Sequence, residues 1–135
     1  MVSKNFHDVI SMISYFNGGK KMSKCDFINE LDASITVCNT EGMIIDMNQK
    51  AIQTWEKYGG EELIGKNLID CHPEPAKSKL KELLATQNSS TYTIEKNGVK
   101  KIIFQKPWYE EGIYKGFTEI VFEIPFDIPH FIRKS

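Results

Sequence analysis

The residues best equipped for chemistry fall in one short run, Cys71-His72-Pro73. A neutral imidazole donates from one nitrogen and accepts at the other, and it is the side chain most easily switched near neutral pH. A thiol at a helix start can have its pKa lowered and act as a redox sensor. Each has a plainer reading. His72 can cap or pack beside Pro73, and Cys71 can be a buried, inert thiol, the commoner fate and the favoured one here. His7 and His130 lie near the termini, so the histidines do not suggest a metal cluster. Cys25, Cys38 and Cys71 are odd in number and form no C-x-x-C, which argues against a disulfide framework or a zinc site. Cys38 sits in an apolar strand and reads as core. The phosphate loop G-x-x-x-x-G-K-S/T, the nucleophile elbow G-x-S-x-G and the zinc helix H-E-x-x-H are all missing. The expectation is that the chain is not an enzyme. A small hydrolase or isomerase would need polar residues converging in a pocket, whereas the inferred inward positions are mostly Ile, Val, Phe, Leu and Met.

Composition narrows the class. The 135 residues fit one domain of ordinary size, and 41% hydrophobic content can fill a core without disulfides or metal. Seventeen basic residues stand against 18 acidic ones, and Arg133 is the only arginine. Nucleic-acid recognition favours a basic excess and the bidentate arginine fork, so that partner is not expected. No apolar run approaches the roughly 20 residues that span a bilayer. The N-terminal stretch is too polar for a signal peptide, so the expected location is the cytoplasm. High Lys, Asn and Ile with little Arg hints at a bacterial source.

The elements that position these residues are readable in order. Phe6, Val9, Ile10, Ile13 and Phe16 predict an amphipathic helix over 5–16. A second helix is predicted from about 24 to 32, with Ser23 and Asp26 in a capping-box relation. Ser34–Asn39 is rich in β-branched residues, Thr40-Glu41-Gly42 is a turn, and Met43–Met47 completes a hairpin. Asn48 caps a helix expected to run to about Tyr58, with Ala51, Ile52 and Trp55 inward, and Gly59-Gly60 stops it. One short turn follows at 61–65, and residues 66–73 read as irregular. Pro75 opens a helix whose buried face is Ala76, Leu80, Leu83 and Leu84 and whose lysines face water. Three strands close the chain: Thr91–Lys96, Val99–Lys106 across an Asn97-Gly98 turn, and about 114–124. Trp108 and Tyr109 fall beyond the second of these, as an exposed contact or a loop folded back on the sheet. The fold class is α+β, a five-stranded antiparallel sheet with helices on one face. The N-terminal helix is expected to cover the other face, because its stripe cannot be left in water.

This order, with its motifs, resembles a PAS domain over about residues 31–125. Leu31-Asp32-Ala33 leads into the first strand, and Glu41-Gly42 and Asn48 stand at the turn and close of the first hairpin. The segment Gly60-Glu61-Glu62-Leu63-Ile64-Gly65-Lys66 is the most specific piece, and Gly116 precedes the last strand. Cys71-His72-Pro73 is similar to PAS modules found beside hemerythrin-like domains in bacterial sensory proteins. The domain plan is a helical extension over 1–30, the PAS-like domain over 31–125 and a tail over 126–135. The resemblance implies a pocket between the inner sheet face and the helices that holds haem, flavin or a metabolite, or is simply filled.

Strand alternation and helical spacing would line that pocket with Met47, Trp55, Leu68, Leu80, Leu84, Phe104, Ile120 and Phe122, together with Val37 and Ile45. Cys71 and His72 would stand at its rim. Plain core packing is the simpler reading of each apolar residue alone. A cysteinyl-flavin photosensor of the LOV type needs cysteine directly after the Asn of its G-x-N-C motif. Here Gly65-Lys66-Asn67 is followed by Leu68, so that cofactor is rejected. Haem, with His72 as axial ligand, is the minor cofactor reading, and no other metal is implied. The function expected first is a sensor that binds a small ligand and signals through protein contacts, as a homodimer with a separate signalling protein. The alternatives are a ligand-free dimerisation module and a small enzyme.

Overall fold

The computed structural model describes residues 26–135. The helix expected over 5–16, the start of the second helix and Cys25 lie outside them. The chain divides into two units, one ending at Leu31 and one beginning at Asp32. The described part of the first is a single turn, α1 (Asp26–Glu30).

The second unit is built on a sheet of five strands, β1 (Ser34–Asn39), β2 (Ile44–Met47), β3 (Ser90–Lys96), β4 (Val99–Glu110) and β5 (Ile113–Ile124). Their order is β2-β1-β5-β4-β3, antiparallel throughout. The first and last strands of the chain are therefore neighbours at the sheet centre. The β1–β2 turn is set by Asn39, whose Oδ1 accepts from the N–H groups of Glu41 and Met43. Asn97 and Gly98 carry φ of 53° and 77°, and Glu111 and Gly112 carry 50° and 79°. Paired positive φ is the mirror-image turn that matches strand twist, so both tight turns follow from their sequences.

Helices occupy the crossover from β2 to β3. Asn48 caps α2 (Gln49–Thr54), and its side chain also ties down the start of β1. The helix is shorter than its apolar spacing predicts. It gives way to 3-10 turns at Glu56–Tyr58 and Gly60–Leu63 around Gly59, whose φ is 123°. Residues 66–73 are more regular than expected. Asn67 caps α3 (Leu68–Cys71) by accepting from Ile69 N–H, and its amide donates to the Glu41 carbonyl. Pro75 precedes α4 (Ala76–Thr86), which ends at Gln87 in the left-handed region.

The β4–β5 ribbon is longer than its apolar alternation suggests. Pro107 lies past the end of β3, which pairs β4 only as far as Gln105, so its missing N–H deprives no β3 partner. Trp108 and Tyr109 therefore belong to β4 rather than to a loop. Opposite Trp108, Gly116 has φ of 141°, and a Cβ there would collide with the Cys38 carbonyl oxygen. Only glycine permits that approach of β5 to β1. The buried core joins Cys38, Leu83, Leu84 and Phe117, with a second cluster of Ile44, Met47 and Ala51. The tail from Pro125 has no regular structure and leaves Phe126, Ile128, Phe131 and Ile132 exposed.

Candidate ligand-binding cavity

A cavity of about 790 Å³ lies between one face of the sheet and the helices of the β2–β3 crossover. The sheet face is fixed by register. Thr36 pairs with Met47 and Glu119, Glu119 with Gln105, and Gln105 with Ser90. These five residues form one row across the whole sheet, and all five line the cavity. Four of them are polar. The flanking rows supply Cys38 and Phe117 on one side and Tyr92 on the other. The helices contribute the apolar wall through Leu63, Leu68, Leu80 and Leu83. Trp55 and Tyr58, rings 5.9 Å apart and both exposed, stand with Cys71, Pro73 and Lys79 at the mouth.

Of the site residues expected from sequence, Met47, Trp55, Leu68, Cys71, His72 and Leu80 line the cavity. Four others do not. Leu84 is buried behind the wall, beside Leu83 and Phe117. Phe104, Ile120 and Phe122 lie on the opposite face of the sheet, where Phe104 pairs with Ile120 and its ring meets that of Phe122 at 5.9 Å. Val37 is on that face too, and Ile45 is exposed on β2. The reason is the two-residue period of a strand. Successive residues point to opposite faces, so a choice of face is right or wrong for the whole set. The more apolar set was assigned inward, whereas the cavity side carries Glu119 and Gln105. Cys71 also departs from expectation. It is exposed, because α3 is a single turn whose last residue reaches the cavity mouth.

The polar groups have defined partners. Gln105 Nε2 donates to Glu119 Oε2 at 3.0 Å. His72 Nδ1 lies 2.7 Å from the Leu68 carbonyl oxygen. A carbonyl only accepts, so Nδ1 carries the proton, and in the neutral ring Nε2 presents a lone pair. Burial pushes the Cys38 thiol up, opposed by a bond to the Phe117 backbone, and the Glu119 charge adds to the rise. Burial likewise raises the Tyr92 phenol, with Glu119 again contributing. The field of one carboxylate thus reaches both flanking rows of the cavity floor. Glu119 and Gln105 were not singled out from sequence. The available signal was an acid set between Thr118 and Ile120 in the middle of β5, away from its ends.

A family model described as a PAS domain matches residues 32–124, most of the chain and all of the sheet. The chain belongs to the PAS family. Solved structures, PAS domains among them, share its fold at low identity. The PAS domain of Bordetella pertussis BvgS is 14% identical, with a TM-score of 0.56 over 87% of this chain and 88% of that one. The Aer2 receptor of Vibrio cholerae, described as a dual PAS-heme oxygen sensor, is 19% identical, with a TM-score of 0.52 over 69% and 95%. A C-terminal domain from Streptococcus mutans is 20% identical, with a TM-score of 0.59 over 72% and 79%. No curated protein matches the sequence significantly. The two leading and three closing strands, with helices between them, are thus the PAS arrangement expected from the motifs. No helix among the described residues is long and apolar enough to cross a membrane.

Proposed function

We propose that this PAS domain is a sensory module whose cavity takes a small organic ligand, and that occupancy alters its contacts with a separate signalling protein or a second copy of itself. The observation that carries this reading is the cavity. Its volume of about 790 Å³ lies within the range of small-molecule sites, and its apolar walls enclose a few placed polar groups. Such a space argues against a ligand-free interaction module whose core is filled by its own side chains. The floor is also poorly suited to an enzyme. Its acid is paired with an amide, and among the described residues no hydrogen bond joins a nucleophile to a base beside it. Native mass spectrometry of the full chain, set against its denatured mass, tests the proposal. A mass increment lost on denaturation is expected. A native mass equal to the bare chain after exposure to a metabolite extract would count against it.

A second reading is haem, favoured by His72. Its Nδ1–H is held by the Leu68 carbonyl, which orients the ring and leaves Nε2 as the donor atom, the usual arrangement of a ligating histidine. When bound, haem iron supplies a coordination position for a diatomic gas. The leucine wall suits the macrocycle, while the Glu119–Gln105 row sets polar groups on the facing side, which is why haem stands second. An intense absorption band near the violet edge of the visible spectrum in haem-supplemented protein, absent in His72→Ala, is its signature.

A further inference from the structure

We propose that the polar row on the cavity floor selects a ligand rich in N–H donors, an amidine or a protonated heteroaromatic amine, with Glu119 as the residue that recognises it. This rests on the cavity being a ligand site and names the chemistry of what enters.

A carboxylate only accepts, at two oxygens with about four lone-pair positions, and a glutamine amide offers two donor hydrogens and one acceptor oxygen. The bond from Gln105 Nε2 to Glu119 Oε2 uses one donor and one acceptor position. What the dyad still presents to the cavity is mainly acceptor: Glu119 Oε1 and Gln105 Oε1. Thr36 and Ser90, next in the row, carry hydroxyls that adapt to either role. A ligand matching this floor must therefore donate, and more than once.

Charge points the same way. Glu119 is half-buried on the central strand of the sheet, and among the described residues no cation lies within ion-pair distance of it. The cavity's lysines, Lys66 and Lys79, are exposed, and Lys79 pairs with Glu82 at 3.5 Å. They belong to the rim, in water, where charge is screened. A carboxylate among apolar walls favours a cationic partner and opposes an anionic one. The apolar walls and the Trp55–Tyr58 pair suit a flat aromatic body behind the donor end.

The test uses the full chain and three probes of one shape: naphthamidine, naphthamide and naphthoate. Dissociation constants come from chemical-shift titration of backbone amides, with shifts at Thr36, Gln105 and Glu119 showing that the floor is engaged. Naphthamidine is expected to bind about tenfold tighter than naphthamide, the size of one charge-assisted hydrogen bond, and naphthoate weakest. Glu119→Gln, which keeps the shape, should bring amidine and amide to within about threefold of each other, with the larger loss falling on the amidine. Gln105→Leu is the second variant, expected to weaken amidine binding while Glu119 stays in place. Naphthamide binding as tightly as naphthamidine, naphthoate binding tightest, or an amidine preference that survives Glu119→Gln would overturn the proposal and leave the cavity a ligand site. No binding of any probe would overturn the ligand-site reading itself.

Discussion

The indole Nε1 of Trp108 donates to the carbonyl oxygen of Cys38 at 3.0 Å, joining residues 70 apart in sequence. It reaches β1 from β4 across the strand between them, β5. It can do so because Gly116, opposite Trp108, has no side chain in the way. Trp108→Phe keeps most of the ring but removes the donor. The expected cost is about 1–2 kcal/mol, read as a lower urea midpoint with an unchanged slope. A midpoint equal to that of the wild type would show that water replaces the bond at no cost.

Asn48 is the second tie between distant segments. Its Oδ1 accepts from Ile35 N at 2.9 Å and from Ala51 N at 3.0 Å, and its Nδ2 donates to the Ala33 carbonyl at 2.8 Å. It is buried, so its loss leaves backbone groups without partners in a place water does not readily enter. Asn48→Ala is expected to cost about 2–3 kcal/mol, more than an exposed helix cap. Asn48→Asp keeps the acceptor and loses the donor to Ala33, and should fall between the two in a thermal melt.

The described thiols should separate in a labelling experiment. Cys71 is exposed and Cys38 is 2% exposed. In a Cys25→Ser protein, a disulfide reagent should label one thiol promptly and the second only on unfolding. The same burial raises the folded-state pKa of Cys38, and burial also raises Tyr92 and Tyr114. A group raised in the folded state contributes stability below its ordinary value and loses it as pH climbs through the folded one. Stability should therefore decline from about pH 9 upward. Tyr114→Phe should make that decline shallower, and an equally steep one would remove Tyr114 from the account.

His72 separates a local role from a ligand role. Its bond to Leu68 closes α3, so His72→Ala should cost about 1 kcal/mol whatever the cavity holds. The ring also lines the cavity, and the variant is expected to weaken ligand retention while the fold persists. Melting temperature and ligand mass measured on the same variant part the two contributions. Reduced stability with full retention would make His72 a helix cap and nothing more.

Much of the architecture is legible in the sequence, for reasons that differ by element. The tight turns follow from residues that tolerate positive φ, as at Asn97-Gly98, and Asn48 announces a helix start. Helical spacing placed Leu80 toward the cavity because a helix has one apolar stripe, and that stripe has one direction to face. β5 offers no such guide. Thr118, Ile120, Phe122 and Ile124 alternate with Phe117, Glu119, Val121 and Glu123, and the first set is the more apolar. Apolar content favoured the set that faces away from the cavity, because the cavity floor carries polar groups that a packed core would exclude. α3 was hidden for another reason: four residues are too few to show a period, and only the cap at Asn67 marks it.

Glu119 and Ile120 are consecutive, and their side chains leave β5 on opposite sides. The carboxylate on the cavity floor and the branched chain on the far side hang from Cα atoms about 3.8 Å apart. No relay of intervening side chains separates them. The sheet is thus one strand thick between a polar row that floors the cavity and an apolar row on its far side.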